Sequence, residues 1–211
     1  MAKRDIGIRF RGDEANLDKN AKTIMNDLDF IIMGEGKKLS DQAKYDIVHK
    51  IAWECTEGQT TATKYYGCRY WSKTALEEKF KDQKIATGEI LKYENKNADD
   101  LRHEHVVPKK LFIEYVWGFV KNSGDFDKDK LLNLMQKSLL ACVVHKEEDS
   151  KLIKDKMPKS KEEQNNFITK FEDVTNPWVR YENVGLTDIY ELEWNIKKKE
   201  VKIVKKVDLS K

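Results

Sequence analysis

Residues 101–110, LRHEHVVPKK, decide how the rest of the chain is read. Two histidines, His103 and His105, flank Glu104; the β-branched pair Val106 and Val107 follows, and Pro108 closes the run. Proline has no N–H and a fixed φ, so it takes the chain out of a strand ladder at that point. A strand ending in this way can present adjacent polar side chains at its open end. A second apolar run, residues 139–144 (LLACVV), is followed at once by residues 145–149 (HKEED), which read as the first turns of a helix. The outline is strand, long connection, strand, helix.

The chain around these runs has 211 residues, enough to bury a sizeable core, and one domain with elaborations is expected. Charged residues make up 36% but the net charge is only +3, so any nucleic-acid surface must come from local segregation of charge. The three cysteines, Cys55, Cys68 and Cys142, form no CxxC pair, which argues against a zinc knuckle and for reduced thiols in a cytoplasm. The first residues, MAKRDIGIRF, contain no apolar stretch of signal-peptide length, and no window approaches the ~20 apolar residues of a membrane span. The expectation is a soluble cytoplasmic protein with no membrane association.

In chain order, residues 13–32 carry Leu17, Ala21, Ile24, Met25, Leu28 and Ile31 at helical spacing. Ser40 reads as the N-cap of a second helix with Tyr45, Val48, Ile51, Ala52 and Cys55 inward and His49 at a surface or packing position. A polar loop at 58–64 leads to Tyr65, Tyr66, Arg69, Tyr70, Trp71 and Lys73, with helix from about Ser72. Aromatics among basic groups stack on bases and neutralise phosphates; equally, Trp71 and a tyrosine or two fill a core. Residues 81–100 read as an irregular polar connection around a short ILKY. After Pro108 come two helices, around Leu111, Phe112, Tyr115, Val116 and Phe119 and then Leu131, Leu132, Leu134 and Met135, parted by a turn at 122–125. The end alternates Tyr190, Leu192, Trp194 and then Val201, Ile203, a β-hairpin pattern with six lysines between 197 and 206.

In HEHVVP, in CVVHKEEDSKL and, more weakly, in NPWVRY at 176–181, the chain resembles the HNH, or ββα-metal, nucleases; YWSK at 70–73 is similar to a segment in bacterial restriction-type proteins. The resemblance implies a metal-dependent endonuclease acting on DNA. Such a reaction needs an activated water and a cation on the scissile phosphate and leaving oxygen; a histidine with pKa near 7 suits the proton abstraction. By resemblance Glu104 matches the metal-ligand position and His105 the general base. Asp149 matches the second ligand, with His145, four residues earlier, a further ligand or a phosphate contact. Glu148 points about 100° away on a helix and is the third choice. His103 shares a strand face with His105 and orients the base, contacts a phosphate or caps the strand. One divalent ion, Mg²⁺ or Mn²⁺, suits the mixed carboxylate and imidazole set, with Zn²⁺ or Ni²⁺ tolerated. The helical insertion departs from the family, and it leaves Asn133 or Asn122 for the role of the middle asparagine. HExxH is absent, so a helix-borne zinc protease site is a poor match.

Contacts to DNA are expected from Arg69, Lys73, Arg102, Lys109, Lys110 and Arg180, the last as a bidentate phosphate clamp. A basic stretch with Lys151, Lys154, Lys156, Lys159 and Lys161 grips phosphates or is a solvated face. The expected fold is α+β and predominantly helical, with an embedded ββα-metal motif and a C-terminal β-hairpin. It forms a single nuclease domain: a helical part (1–100), the metal site with its insertion (101–153) and a basic β part (154–211). The expected function is a Type II restriction-type or defence endonuclease, a homodimer if its site is palindromic. The alternatives are a nonspecific or nicking nuclease, or a nucleic-acid-binding or inhibitor module in which His-Glu-His is an inert charged strand edge.

Overall fold

The computed structural model describes residues 17–54, 65, 67–94, 99–122, 127–195 and 197–210. Helix α1 (Leu17–Ile32) buries Met25, Leu28, Ile31 and Ile32 along one stripe. A 3-10 turn at Glu35–Lys38 follows, in which a Cβ on Gly36 would lie 2.7 Å from the Phe30 carbonyl oxygen, so only glycine fits. Helix α2 (Asp41–Glu54) starts at the expected cap, the Ser40 hydroxyl accepting from the Ala43 N–H at 3.3 Å. Val48, Ile51 and Ala52 are buried as expected, whereas Tyr45 is exposed and lies edge-on to Trp117 with ring centroids 5.5 Å apart. Cys55, Tyr66, the 58–64 loop and the 123–125 turn lie outside the described residues, as do the side chains of Leu17, Ala21 and Ile24.

The middle of the chain supplies β1 (Tyr70–Ser72), α3 (Lys73–Lys79), β2 (Ile90–Lys92) and β3 (Leu101–His105). Next come α4 (Lys109–Asn122), α5 (Lys128–Ser138), β4 (Ala141–His145) and the single turn α6 (Lys146–Asp149). A small ladder of β5 (Met157–Pro158) and β6 (Phe167–Ile168), then α7 (Val179–Asn183) and the hairpin β7 (Ile189–Asn195) and β8 (Glu200–Lys206), complete the order. The expected outline of strand, helical insertion, strand and short helix is therefore present at β3, α4–α5, β4 and α6. Pro108 does not stop the strand, however: the ladder ends beyond His105 with the Val106 N–H on the Leu140 carbonyl (2.9 Å). The proline instead leads into α4, where its fixed φ suits a helix start.

Six strands form one mixed sheet in the order β2-β8-β7-β1-β4-β3, with β1 parallel to β4 and every other pair antiparallel. The α+β class holds, but the protein is not predominantly helical, with about 41% helix and 21% strand among the described residues. Two segments add strands beyond those expected. Tyr70–Ser72, expected as the approach to a helix, is a strand between β7 and β4. Ile90–Lys92, expected as irregular, pairs with β8, so the lysine-rich β8 is not a sheet edge.

Three apolar clusters hold these layers. The helices α1, α2, α4 and α5 form the first. One face of the sheet, with Trp71, Leu76, Phe80, Leu101, Val143 and Ile203, forms the second. The opposite face, with Cys142, Val144, Trp178, Tyr181 and Ile189, forms the third. Val106 belongs to the third cluster and its neighbour Val107 to the first, so the residues after β3 join sheet to helices. The core reading of Trp71 holds: it is fully buried, and its indole N–H and that of Trp194 donate to the same Cys68 carbonyl at 3.0 and 2.8 Å. No helix among the described residues is long and apolar enough to cross a membrane. Trp71→Ala is expected to cost about 3–5 kcal/mol in urea denaturation; a loss under about 1 kcal/mol would place Trp71 outside the core.

Candidate functional site

The site is sorted by the β3–β4 register, in which His103 pairs with Val143, Glu104 with Cys142 and His105 with Ala141. Side chains alternate along a strand, and paired residues share a face. Leu101, Ala141 and Val143 pack with Trp71, and Cys142 and Val144 with Trp178 and Tyr181. Glu104 therefore stands on the Trp178–Tyr181 face, while His103 and His105 stand on the other. The neighbours expected to divide metal binding and base catalysis at an open strand end are on opposite sides of a strand still paired at both residues.

On the Glu104 face four charged side chains converge. The guanidinium of Arg180, whose side chain is 1% exposed, donates from Nη2 to Glu104 Oε1 (2.8 Å) and to the Ile153 carbonyl (2.6 Å). Its Nη1 donates to the His105 and Val106 carbonyls at 2.9 and 3.3 Å. Lys154 approaches from the coil after α6, with Nζ 2.5 Å from Asp149 Oδ1 and 3.7 Å from Glu104 Oε2. The two carboxylates expected to bind a metal, one from the edge strand β3 and one from α6, thus share one ammonium. Asp149 is set by the turn that α6 makes. The Glu148 carboxylate accepts from the His145 N–H (2.9 Å) and from the Ser72 hydroxyl (2.5 Å), closing a capping box and tying α6 to β1.

The other expected ligand is not brought to this pair. His145 pairs with Leu101, at the far end of β3 from Glu104, and its Nδ1 accepts from the Glu147 N–H at 3.4 Å as the N-cap of α6. Asn122 and Asn133 are exposed on the insertion helices. Among the described residues no three His, Cys, Asp or Glu side chains are grouped to hold a metal ion. Two carboxylates are nevertheless the protein complement that Mg²⁺ commonly takes, the rest of its octahedron being water and phosphate oxygen. The oxygen pair around Lys154 fits that demand.

On the opposite face, His105 is 6% exposed and its ring meets that of His103 edge-on at 5.4 Å. Burial first, then the positive charge of His103 and of Lys109, push its pKa down to about 3, against a hydrogen bond to the backbone of Ala52. His103 is half-buried. Nearby, α2 and α4 enclose an open cleft of about 370 Å³ lined by Asp46, His49, Lys50 and Lys109. His49 is lowered by burial and by Lys109, with Asp46 opposing.

The expected nucleic-acid contacts are scattered. Arg69 is exposed, bonded to Glu191 (2.9 and 2.6 Å) and 5.3 Å from the Tyr70 ring centroid. Lys73 and Lys110 are exposed, each in a long i,i+4 pair, with Glu77 (3.7 Å) and Glu114 (3.8 Å). Arg102 donates to the Asp99 and Leu101 carbonyls at 2.6 and 2.8 Å, and Lys109 lines the cleft. Arg180, expected as a phosphate clamp, is buried instead: its bidentate capacity is spent on Glu104 and backbone carbonyls. Lys154 and Ser72 were not singled out as site residues. Lys154 carried the general signal of a basic stretch, and Ser72 carried none beyond its helix-starting position.

No family model matches this chain, and no curated protein or solved structure matches it.

Two outcomes follow from the burial of Arg180 and His105. Arg180→Met is expected to destabilise by about 3–5 kcal/mol, because it strands a partly buried carboxylate; a urea midpoint unchanged from wild type would contradict the buried pair. His105 has a folded pKa below its unfolded value near 6.5, so between those values the unfolded chain binds the extra proton. Its stabilisation is present above pH 6.5 and is lost as pH falls toward 3. Wild type should therefore lose up to about 1.4 kcal/mol per pH unit more than His105→Gln between pH 6 and 4, measured by urea unfolding at each pH; parallel curves would contradict a buried neutral ring.

Proposed function

We propose that this protein is a metal-dependent endonuclease that hydrolyses phosphodiester bonds in DNA, a restriction-type or defence enzyme of the HNH kind that its sequence motifs resemble. The observation that carries the reading is the convergence of Glu104 and Asp149 on one cation at the β3–α6 corner. Glu104 and Asp149 would hold Mg²⁺ or Mn²⁺, which when bound neutralises charge on the phosphate and the leaving oxygen. Arg180 fixes the Glu104 carboxylate from below and orients it. Lys154 adds a positive group at the rim, where a DNA backbone would lie. A base with pKa about 3 accepts a proton from water poorly, so the water-activating role falls to His103, the half-buried ring of the pair, reached across the exposed edge of β3.

A second reading is favoured by the burial of His105 and by the placement of the histidines behind the carboxylate face. In it the protein binds nucleic acid through its exposed basic groups and cuts nothing. Incubation of supercoiled plasmid with the full chain in Mg²⁺, Mn²⁺ or EDTA separates the two. Cleavage is expected with either metal and not in EDTA, falling about 100-fold or more in Glu104→Gln and Asp149→Asn. His103→Ala should lose cleavage while keeping stability; His105→Ala should chiefly lower the unfolding midpoint. Discrete fragments mean a sequence-specific enzyme and a smear a nonspecific one. DNA binding without cutting by wild type, on modified and unmodified plasmid alike, would support the binding module.

A further inference from the structure

The two oxygens of Glu104 have different partners. Oε1 accepts from Arg180, which is buried and also bonded to the carbonyls of His105, Val106 and Ile153, so this cation is a fixed part of the fold. Oε2 faces Lys154, which is 52% exposed and stands in coil, with Asp149 Oδ1 as its nearer partner. An exposed ammonium on a flexible four-carbon stem exchanges its partner for water at little cost. The carboxylate pair therefore has one permanent cation and one exchangeable cation.

Charge balance says what the exchange achieves. With Lys154 in place the four side chains are neutral as a set, and the mutual repulsion of Glu104 and Asp149 is suppressed. A divalent ion in its stead leaves one positive charge, matched to the single negative charge of a phosphodiester. We propose that Lys154 occupies the divalent-cation position between Glu104 and Asp149 in the metal-free protein, and that on metal loading its ammonium moves out to hold a non-bridging oxygen of the phosphate. This rests on reading the corner as a metal-dependent phosphodiesterase site. It gives one lysine two partners in sequence and keeps the acidic pair assembled before either metal or DNA arrives.

The test is Mn²⁺ binding to the metal-free full chain by titration calorimetry, in wild type, Lys154→Met and Lys151→Met. Lys151 is an exposed lysine three residues earlier, so its substitution removes the same charge without opening the position. Lys154→Met should bind Mn²⁺ roughly two- to fivefold more tightly, the scale an exposed ion pair permits, with Lys151→Met unchanged. Equal or weaker binding by Lys154→Met, or the same gain in Lys151→Met, overturns the exchange while leaving the metal site standing. Absence of Mn²⁺ binding in all three proteins overturns both. The phosphate half is read with a cleavage-resistant phosphorothioate duplex in Mn²⁺: Lys154→Met should bind it more weakly, with the salt slope reduced by about 1. An unchanged slope overturns that half.

Discussion

The Arg180 guanidinium is the contact on which this corner of the protein depends. It is buried and joins the end of β3, the coil after α6 and helix α7 through one planar group. Removing an ion pair from water is expensive, and the attraction repays it only where the geometry is good and the remaining donors are satisfied. Here one carboxylate oxygen and three backbone carbonyls receive the two terminal nitrogens, while the buried Nε has no hydrogen-bond partner among the described residues. Lysine, with a point charge and no planar fork, cannot reproduce that set. The same contact sets how Glu104 presents itself: Oε1 is tied inward and Oε2 is left for whatever cation stands outside.

Edge strands invite pairing with other chains, and β3 is at the edge of the six-stranded sheet. Two of its carbonyls are occupied locally, Leu101 by the Tyr65 hydroxyl (2.6 Å) and by Arg102 (2.8 Å), and His105 by Arg180 (2.9 Å). A strand that carries polar site residues can remain at the edge because side chains, rather than a further strand, cover these groups. Edge position also gives both of its faces a common rim.

Much of this fold could be read from hydrophobic period. Helices α1, α4 and α5 and the C-terminal hairpin carry clear 3.6- or 2-residue repeats, while β3 and β4 are marked by short β-branched or apolar runs. The three-residue strands β1 and β2 carry no period at all, and their pairing with β4, β7 and β8 is set by packing across the sheet. Trp71 was legible as core because a large aromatic mostly buries, whereas its place in a central strand was not. In the site, the pairing of Glu104 with Asp149 was expected only from the resemblance to the ββα-metal motif. That of Glu104 with Arg180 spans 76 residues, and an arginine destined for burial has the same local signature as one destined for DNA.

The placement of His105 on the face opposite Glu104 has a different origin, because the information was present. Alternation alone puts residues 104 and 105 on opposite faces, and only reading both as the open end of the strand let them act together. Pairing persists through His105, so the rule applies, and its consequences are chemical. The helices α2 and α4 that bury the ring also remove the solvation that a protonated imidazole needs, and Lys109 and His103 add positive charge to the same side. Glu104, one residue earlier, is bonded to Arg180 and faced by Lys154. A single peptide step therefore separates an environment built to hold negative charge from one built to refuse positive charge. The carboxylate face is the one that can receive a cation.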